Sequence, residues 1–179
     1  MDRLLIDETT KVAALLDAYP ELEGVLIEIA PPFKKLKNPV LRRSVAKVAS
    51  LRQAAAVARI PASELVNQLR EAVGQPPIEL GTEDASVSYL GERPDWYDPD
   101  FVVDVLDESA LPEDGPMPLV PLLKRAQGLG EREILEFRTT FLPAPGIDAM
   151  SKKGFAAWTK EISPGEFRTY FTNAQRPRA

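Results

Sequence analysis

The chain has neither cysteine nor histidine, and these two absences limit its chemistry more than any motif defines it. Thiolate nucleophiles, disulfide relays, thiolate zinc sites and imidazole acid–base catalysis are all excluded. Carboxylates, lysine, tyrosine, hydroxyls and backbone groups remain. Long apolar runs are missing too, since none approaches the ~20 residues a spanning helix needs. The opening Met1–Glu8 is too acidic, and its apolar part too short, for a secretory signal. The expectation is a cytoplasmic protein with no membrane segment. A net charge of −5 and a pI near 5.0 speak against a molecule devoted to nucleic acid. Hydrophobic residues make up 44% of the 179 positions, enough for a core in one domain or two small ones.

Up to residue 75 the apolar residues recur at helical spacing. Val12, Leu15, Leu16 and Tyr19 mark a first helix that Asp7 or Thr9 is placed to cap. Pro20 suits the first turn of a second helix, with Leu22, Val25, Leu26 and Ile29 inward. Asn38-Pro39 opens a third, burying Leu41, Val45 and Val48. Ser50 caps a fourth that runs through Ile60, and Pro61 opens a fifth with Leu65, Val66, Leu69 and Val73 inward, stopped at Gly74. The pattern predicts a bundle of about five short helices over 1–75.

Residues 76–99 change character. Gln75-Pro76-Pro77, Gly81, Gly91, Pro94 and Pro99 break any period, and acidic residues accumulate, so this stretch reads as a linker. From residue 100 to 174 the period alternates between strand and helix. Phe101–Leu106 is nearly all apolar, as in a strand buried on both faces. Leu119, Val120, Leu122 and Leu123 form a helical face ending near Gly128. Leu135, Phe137 and Phe141 alternate with Glu136, Arg138 and Thr140, giving a strand with one wet face, so both helices should cover the other. Pro145 opens the second helix and Gly154 stops it; Ser163-Pro164-Gly165 turns a hairpin between Phe155–Ile162 and Glu166–Thr172. The expected class is α+β: a helical bundle followed by a βαβαββ two-layer sandwich, with residues 175–179 a frayed tail.

This element order, with Gly115-Pro116-Met117-Pro118 leading the first helix, resembles the TusA/SirA sulfur-carrier family. In that family a Cys-Pro-X-Pro motif carries a persulfide; here Gly115 stands at the thiol position, so the resemblance implies the architecture without the reactive atom. Arg93-Pro94-Asp95-Trp96-Tyr97, Phe141-Leu142-Pro143-Ala144-Pro145 and Gly154-Phe155 are similar to an uncharacterised branch of the same superfamily. The N-terminal half, above all Ala30–Arg42, resembles the helical domain associated with hybrid-cluster proteins and with the start of the iron–sulfur repair protein ScdA. The cysteine pair of many of those relatives is absent. The resemblances imply a place near sulfur, iron–sulfur or redox metabolism.

Two surfaces stand out as candidate sites. Lys34, Lys35, Lys37, Arg42, Arg43, Lys47, Arg52 and Arg59 are eight cations with no acid between Ile29 and Ser63. This is either an anion or acidic-partner surface, or a solvated face of a small bundle. The second lies where Gly115, Met117, Thr140 and Phe141 flank two helix N-termini, with Lys124 and Arg138 nearby, a place for a small anionic ligand. Ser50–Arg70 has a helix-turn-helix outline, yet its second helix offers Ala62, Ser63, Glu64, Asn67 and Gln68 where base-reading cations belong, so nucleic acid is a poor fit. Carboxylate pairs such as Asp104/Asp107 read as solvated charge rather than a metal site, and nothing calls for a cofactor. The reading is a non-catalytic binding or accessory protein. The alternatives are an enzyme at the Gly115/Phe141 edge and DNA binding through the basic helices.

Overall fold

The computed structural model describes residues 4–37, 46–81, 86, 89–112 and 118–173, apart from the side chains of residues 35 and 36. Residues 38–45 of the expected third helix, among them Arg42 and Arg43, as well as Gly115, Met117 and the tail therefore lie outside the described residues; residues 46–48 are helical. The class is α+β. The chain divides into two units, Met1–Val87 and Ser88–Ala179. No described helix is long and apolar enough to cross a membrane.

The first unit is helical: α1 Val12–Ala18, α2 Leu22–Ile29, a 3₁₀ stretch Pro31–Lys37, α3 Leu51–Ala58 and α4 Ala62–Ala72. Val12, Leu15, Leu16, Leu22, Leu26, Leu51, Leu65, Val66 and Leu69 meet in one core, each at most 1% exposed. Val25 and Ile29 pack at its rim. Val48 is 43% exposed, while Ala46 and Ala49 turn inward in its place. Small side chains there bring the chain close against its neighbours.

Helix starts leave N–H groups without intrahelical partners, and here the two halves of the unit satisfy each other. The Val12 N–H donates to the Ala49 carbonyl, and the Leu51 and Arg52 N–H groups donate to the Thr10 and Glu8 carbonyls, all at 2.9 Å. Ser50 makes a capping box with Gln53. The N-cap of α1 is Lys11 rather than Asp7 or Thr9. Asp7 instead closes a turn of its own, accepting hydrogen bonds from the N–H and hydroxyl of both Thr9 and Thr10. The Thr9 hydroxyl bond, with those that accompany it, holds the Asp7 carboxyl below its ordinary range. Pro20 sits in the turn ahead of α2, whose N-cap is Glu21. Helix α3 terminates at Arg59, in the left-handed region at φ 60°, two residues before Pro61 permits α4 to begin.

After α4 the chain reverses at Gly74 (φ +72°) and runs back along the helix. Asn67 holds this return: its carboxamide donates to the Ile78 carbonyl at 3.0 Å and accepts from the Ile78 N–H at 2.9 Å. Ile78 and Leu80 pack at the edge of the core. The first part of the expected linker is thus fastened to the helical unit.

The second unit orders its elements as β1 Val102–Asp107, α5 Leu119–Gln127, β2 Ile134–Thr139, α6 Ala144–Lys152, β3 Phe155–Ser163 and β4 Glu166–Asn173. The sheet runs β1-β2-β4-β3, with β1 and β2 parallel and the remaining pairs antiparallel. Gly165, at φ +77°, makes the β3–β4 hairpin. Helices α5 and α6 lie against each other. On the helix side α5 donates through Arg125 to Asp104, which is in register with Leu135. Leu135, Phe137 and Thr139 share that side with Phe171, Thr169 and Phe167.

Two expectations about the sheet are corrected. Strand β1 is an edge strand, and only Leu106 in it is buried; Val103 and Val105 are 54% and 40% exposed. Strand β2 has a second face that is wet only in part, since Glu136 is 6% exposed while the Arg138 side chain beside it is 43% exposed. The cover over that second face includes Gly91 and Tyr97 of the expected linker. Leu90 pairs with Thr159 on the free edge of β3, the Trp158 indole donates to the Gly91 carbonyl at 2.9 Å, and Tyr97 stacks on the sheet. Within α5, Leu122 is buried but Val120 is 57% exposed.

Among the described residues no strand pairs with the outer edge of β1. Its exposed backbone is instead occupied locally: the Val105 N–H donates to Asp104 Oδ1 at 2.8 Å, and Arg125 Nη1 donates to Asp104 Oδ1 at 2.8 Å and to the Val105 carbonyl at 3.2 Å. Unpaired edges template strand addition, and charged side chains on them suppress it. Replacing Arg125 by alanine should therefore raise concentration-dependent self-association in sedimentation velocity. A profile unchanged from wild type across a tenfold concentration range would show that the clasp protects nothing.

Candidate functional site

The face of the sheet away from the helices carries an ordered set of side chains. Cross-strand register places Arg138 of β2 opposite Arg168 of β4, and Arg168 opposite Lys160 of β3. One row along, Glu136, Tyr170 and Trp158 are aligned in the same way. Asp107 of β1 pairs with Arg138. Directly opposed like charges destabilise a sheet, so three cations abreast at the ~4.8 Å strand spacing require compensation.

Part of it comes from within. Arg138 Nε donates to Glu136 Oε1 at 2.5 Å, Arg168 Nη2 donates to Glu166 at 3.3 Å, and Arg168 Nε lies 3.9 Å from Glu136. That Arg168 Nε is buried and makes no hydrogen bond. Lys160 is placed differently, with its ammonium 5.6 Å and 5.8 Å from the centres of the Trp158 and Tyr170 rings. Donors therefore remain beyond the internal pairs: the outer guanidinium nitrogens of Arg138 and the Lys160 ammonium. Arg138 and Arg168 side chains are 43% and 32% exposed, so the row is open to solvent.

The floor beside the row is aromatic. Tyr97 lies 4.7 Å from Trp158 and 4.5 Å from Tyr170, with Trp158 and Tyr170 stacked at 5.4 Å. Arg93 closes over Tyr97 at 5.2 Å. Burial pushes the Tyr170 hydroxyl well above its ordinary pKa, helped by a hydrogen bond with Tyr97 and by the Glu136 charge. The phenol stays neutral, a donor rather than a phenolate. Burial alone would pull the Arg168 guanidinium down, but Glu166, Glu136 and Tyr170 together push it up. Asp107 is pushed below the usual carboxylate range, first by the Ser109 hydroxyl and N–H. Among the described residues no cluster of carboxylates is grouped to hold a metal ion.

The sequence-predicted ligand residues are not gathered into one place. Arg138 belongs to the tyrosine side of the sheet. Lys124 is exposed on α5, which packs on the helix side, so the sheet lies between them. Thr140 is exposed and Phe141 half-buried in the β2–α6 loop, where the Phe141 carbonyl accepts from the Thr139 hydroxyl at 2.7 Å. Gly115 and Met117 lie outside the described residues. On the basic surface Lys34, Lys37 and Lys47 are exposed; the Lys35 side chain, Arg42 and Arg43 lie outside the described residues.

Sequence reasoning missed Lys160, Arg168 and the Tyr97–Trp158–Tyr170 floor. Two of the row's three cations were accessible: a hairpin turning at Ser163–Gly165 sets Lys160 against Arg168. The β2–β4 pairing that adds Arg138 joins residues far apart in sequence and leaves no local signal.

Comparison with known proteins reaches only the helical unit. Residues 6–66 match a domain of unknown function, DUF1858. No curated protein and no solved structure matches the chain.

Proposed function

We propose that the protein is a non-catalytic binding or accessory protein whose C-terminal unit takes an anionic group, a carboxylate or a phosphate, on the open sheet face. The observation that carries this is the aligned row Arg138–Arg168–Lys160, whose outward donors exceed what Glu136 and Glu166 use. An anion laid across the row relieves the like-charge contacts and accepts from a planar guanidinium fork. The aromatic floor gives an apolar neighbour to whatever group bears the charge. We also read this unit as TusA-like, supported by its βαβαββ order, with Gly115 in place of the carrier cysteine. A role beside sulfur or iron–sulfur chemistry follows by fold analogy alone.

Trp158 reports the site directly. Titration of the full chain with inorganic phosphate at low salt should change indole emission saturably. The change should vanish in Arg138→Gln/Arg168→Gln and weaken as salt rises. A wild-type response equal to that of the double variant would overturn the assignment.

A further inference from the structure

We propose that the helical unit carries a groove for an extended peptide, and that this chain fills it with its own residues 76–80. The ligand class is a proline-led extended segment with large aliphatic side chains two residues apart.

The way residues 76–80 are held supports this. Pro76 and Pro77 preset an extended backbone and bring no N–H groups to satisfy. Ile78 and Leu80 face the core while Pro77 and Glu79 are exposed, the alternation of a strand. Among the described residues no strand pairs with it. The Asn67 carboxamide takes both backbone groups of Ile78, as a neighbouring strand would, and Arg70 Nε donates to the Pro76 carbonyl at 2.5 Å. A sheet edge binds an extended peptide through main-chain hydrogen bonds and pockets for alternate side chains; here the side chains of one helix take the place of the edge strand. Beside Pro76 and Pro77 lies an open cavity of about 900 Å³, lined along α4 by Ser63, Glu64, Asn67, Gln68 and Glu71. Because Asn67 is committed to Ile78, it is not free to read a base edge. Asn67 and Arg70 lie just beyond the residues that match the domain family, while Ser63 and Glu64 of the same helix lie within them.

An attached segment competes at an effective concentration of order mM, so a peptide in trans binds well only when the cis segment leaves. The test uses the full chain with Ile78→Asp and Leu80→Asp, and fluorescein-labelled Gln-Pro-Pro-Ile-Glu-Leu-Gly as probe. Anisotropy should show saturable binding at least ~10-fold tighter than to wild type, lost again when Asn67→Ala is added. A variant that retains its helical circular dichroism yet does not bind the probe would overturn the proposal. If that variant does not fold, wild-type hydrogen exchange decides. Unlabelled peptide at several mM should speed exchange at the Ile78 amide; unchanged exchange would count equally against the groove.

Discussion

Replacing Arg70 by methionine should destabilise the helical unit by about 3–5 kcal/mol. Arg70 is 6% exposed, and its guanidinium bridges the segment before α1 to the segment after α4. Nη1 donates to the Ile6 carbonyl and Nε to the Pro76 carbonyl, both at 2.5 Å. Gln75 continues the clasp, accepting from the Ile6 N–H at 3.1 Å and donating to the Leu4 carbonyl at 2.7 Å, while the Tyr19 hydroxyl also donates to Leu4. Methionine fills similar volume, so the loss is chiefly polar: two charge-assisted bonds worth ~1.5–3 kcal/mol each vanish and leave their acceptors poorly hydrated. Against a total of ~5–15 kcal/mol for an ordinary domain, this removes a large share. Urea unfolding followed by helical circular dichroism checks it. Arg70→Lys should fall between, because one ammonium cannot span both carbonyls in the planar fork's geometry. A methionine variant within about 0.5 kcal/mol of wild type, the range of a surface change, would show that water replaces the clasp at no cost.

What the sequence made legible follows from how local each cause is. Ser50 and Gln53 announce a helix start because a capping box needs only residues three apart. Gly74, Gly154 and Gly165 mark reversals because each adopts a positive φ that side chains resist. The faces of α1 and α4 were readable from periodicity, since one turn of helix repeats the pattern. Where the cause is distant, the reading failed. Phe101–Leu106 has the composition of a central strand, but strand order depends on β2–β4 pairing, and the valines end up at an edge closed by Arg125. Glu136 and Arg138 alternate with apolar residues as a wet face would, yet Tyr97 and the aromatics of β3 and β4 help to cover Glu136. Breaker residues between 76 and 99 do exclude helix. They do not exclude docking, which Asn67 supplies at one end and Trp158 at the other.

Glu136 supplies the second large effect, because it is the buried charge on which the cationic row depends. Its Oε1 accepts from Arg138 and faces Arg168 Nε at 3.9 Å, and the side chain is only 8% exposed. Removing one partner of a fully buried pair costs about 3–5 kcal/mol. Here the arginines keep partial access to water, so Glu136→Ala should cost about 2–3 kcal/mol, a discounted share of that range. Glu136→Gln should cost less, since its amide oxygen still accepts from Arg138. The anion reading adds a sign that a packing role would not: the alanine variant strips Arg138 of its carboxylate partner and leaves Arg168 with Glu166 alone, so inorganic phosphate should restore part of its stability. A ligand that binds only the folded state stabilises it by RT ln(1 + [L]/Kd), and removal of Glu136 lowers Kd. Thermal melts in phosphate and in sodium chloride of matched ionic strength separate this from screening. Phosphate should raise the midpoint of Glu136→Ala more than chloride does, and more than it raises that of wild type. Equal shifts in the two salts would leave the row as an internally balanced surface with no place for an anion.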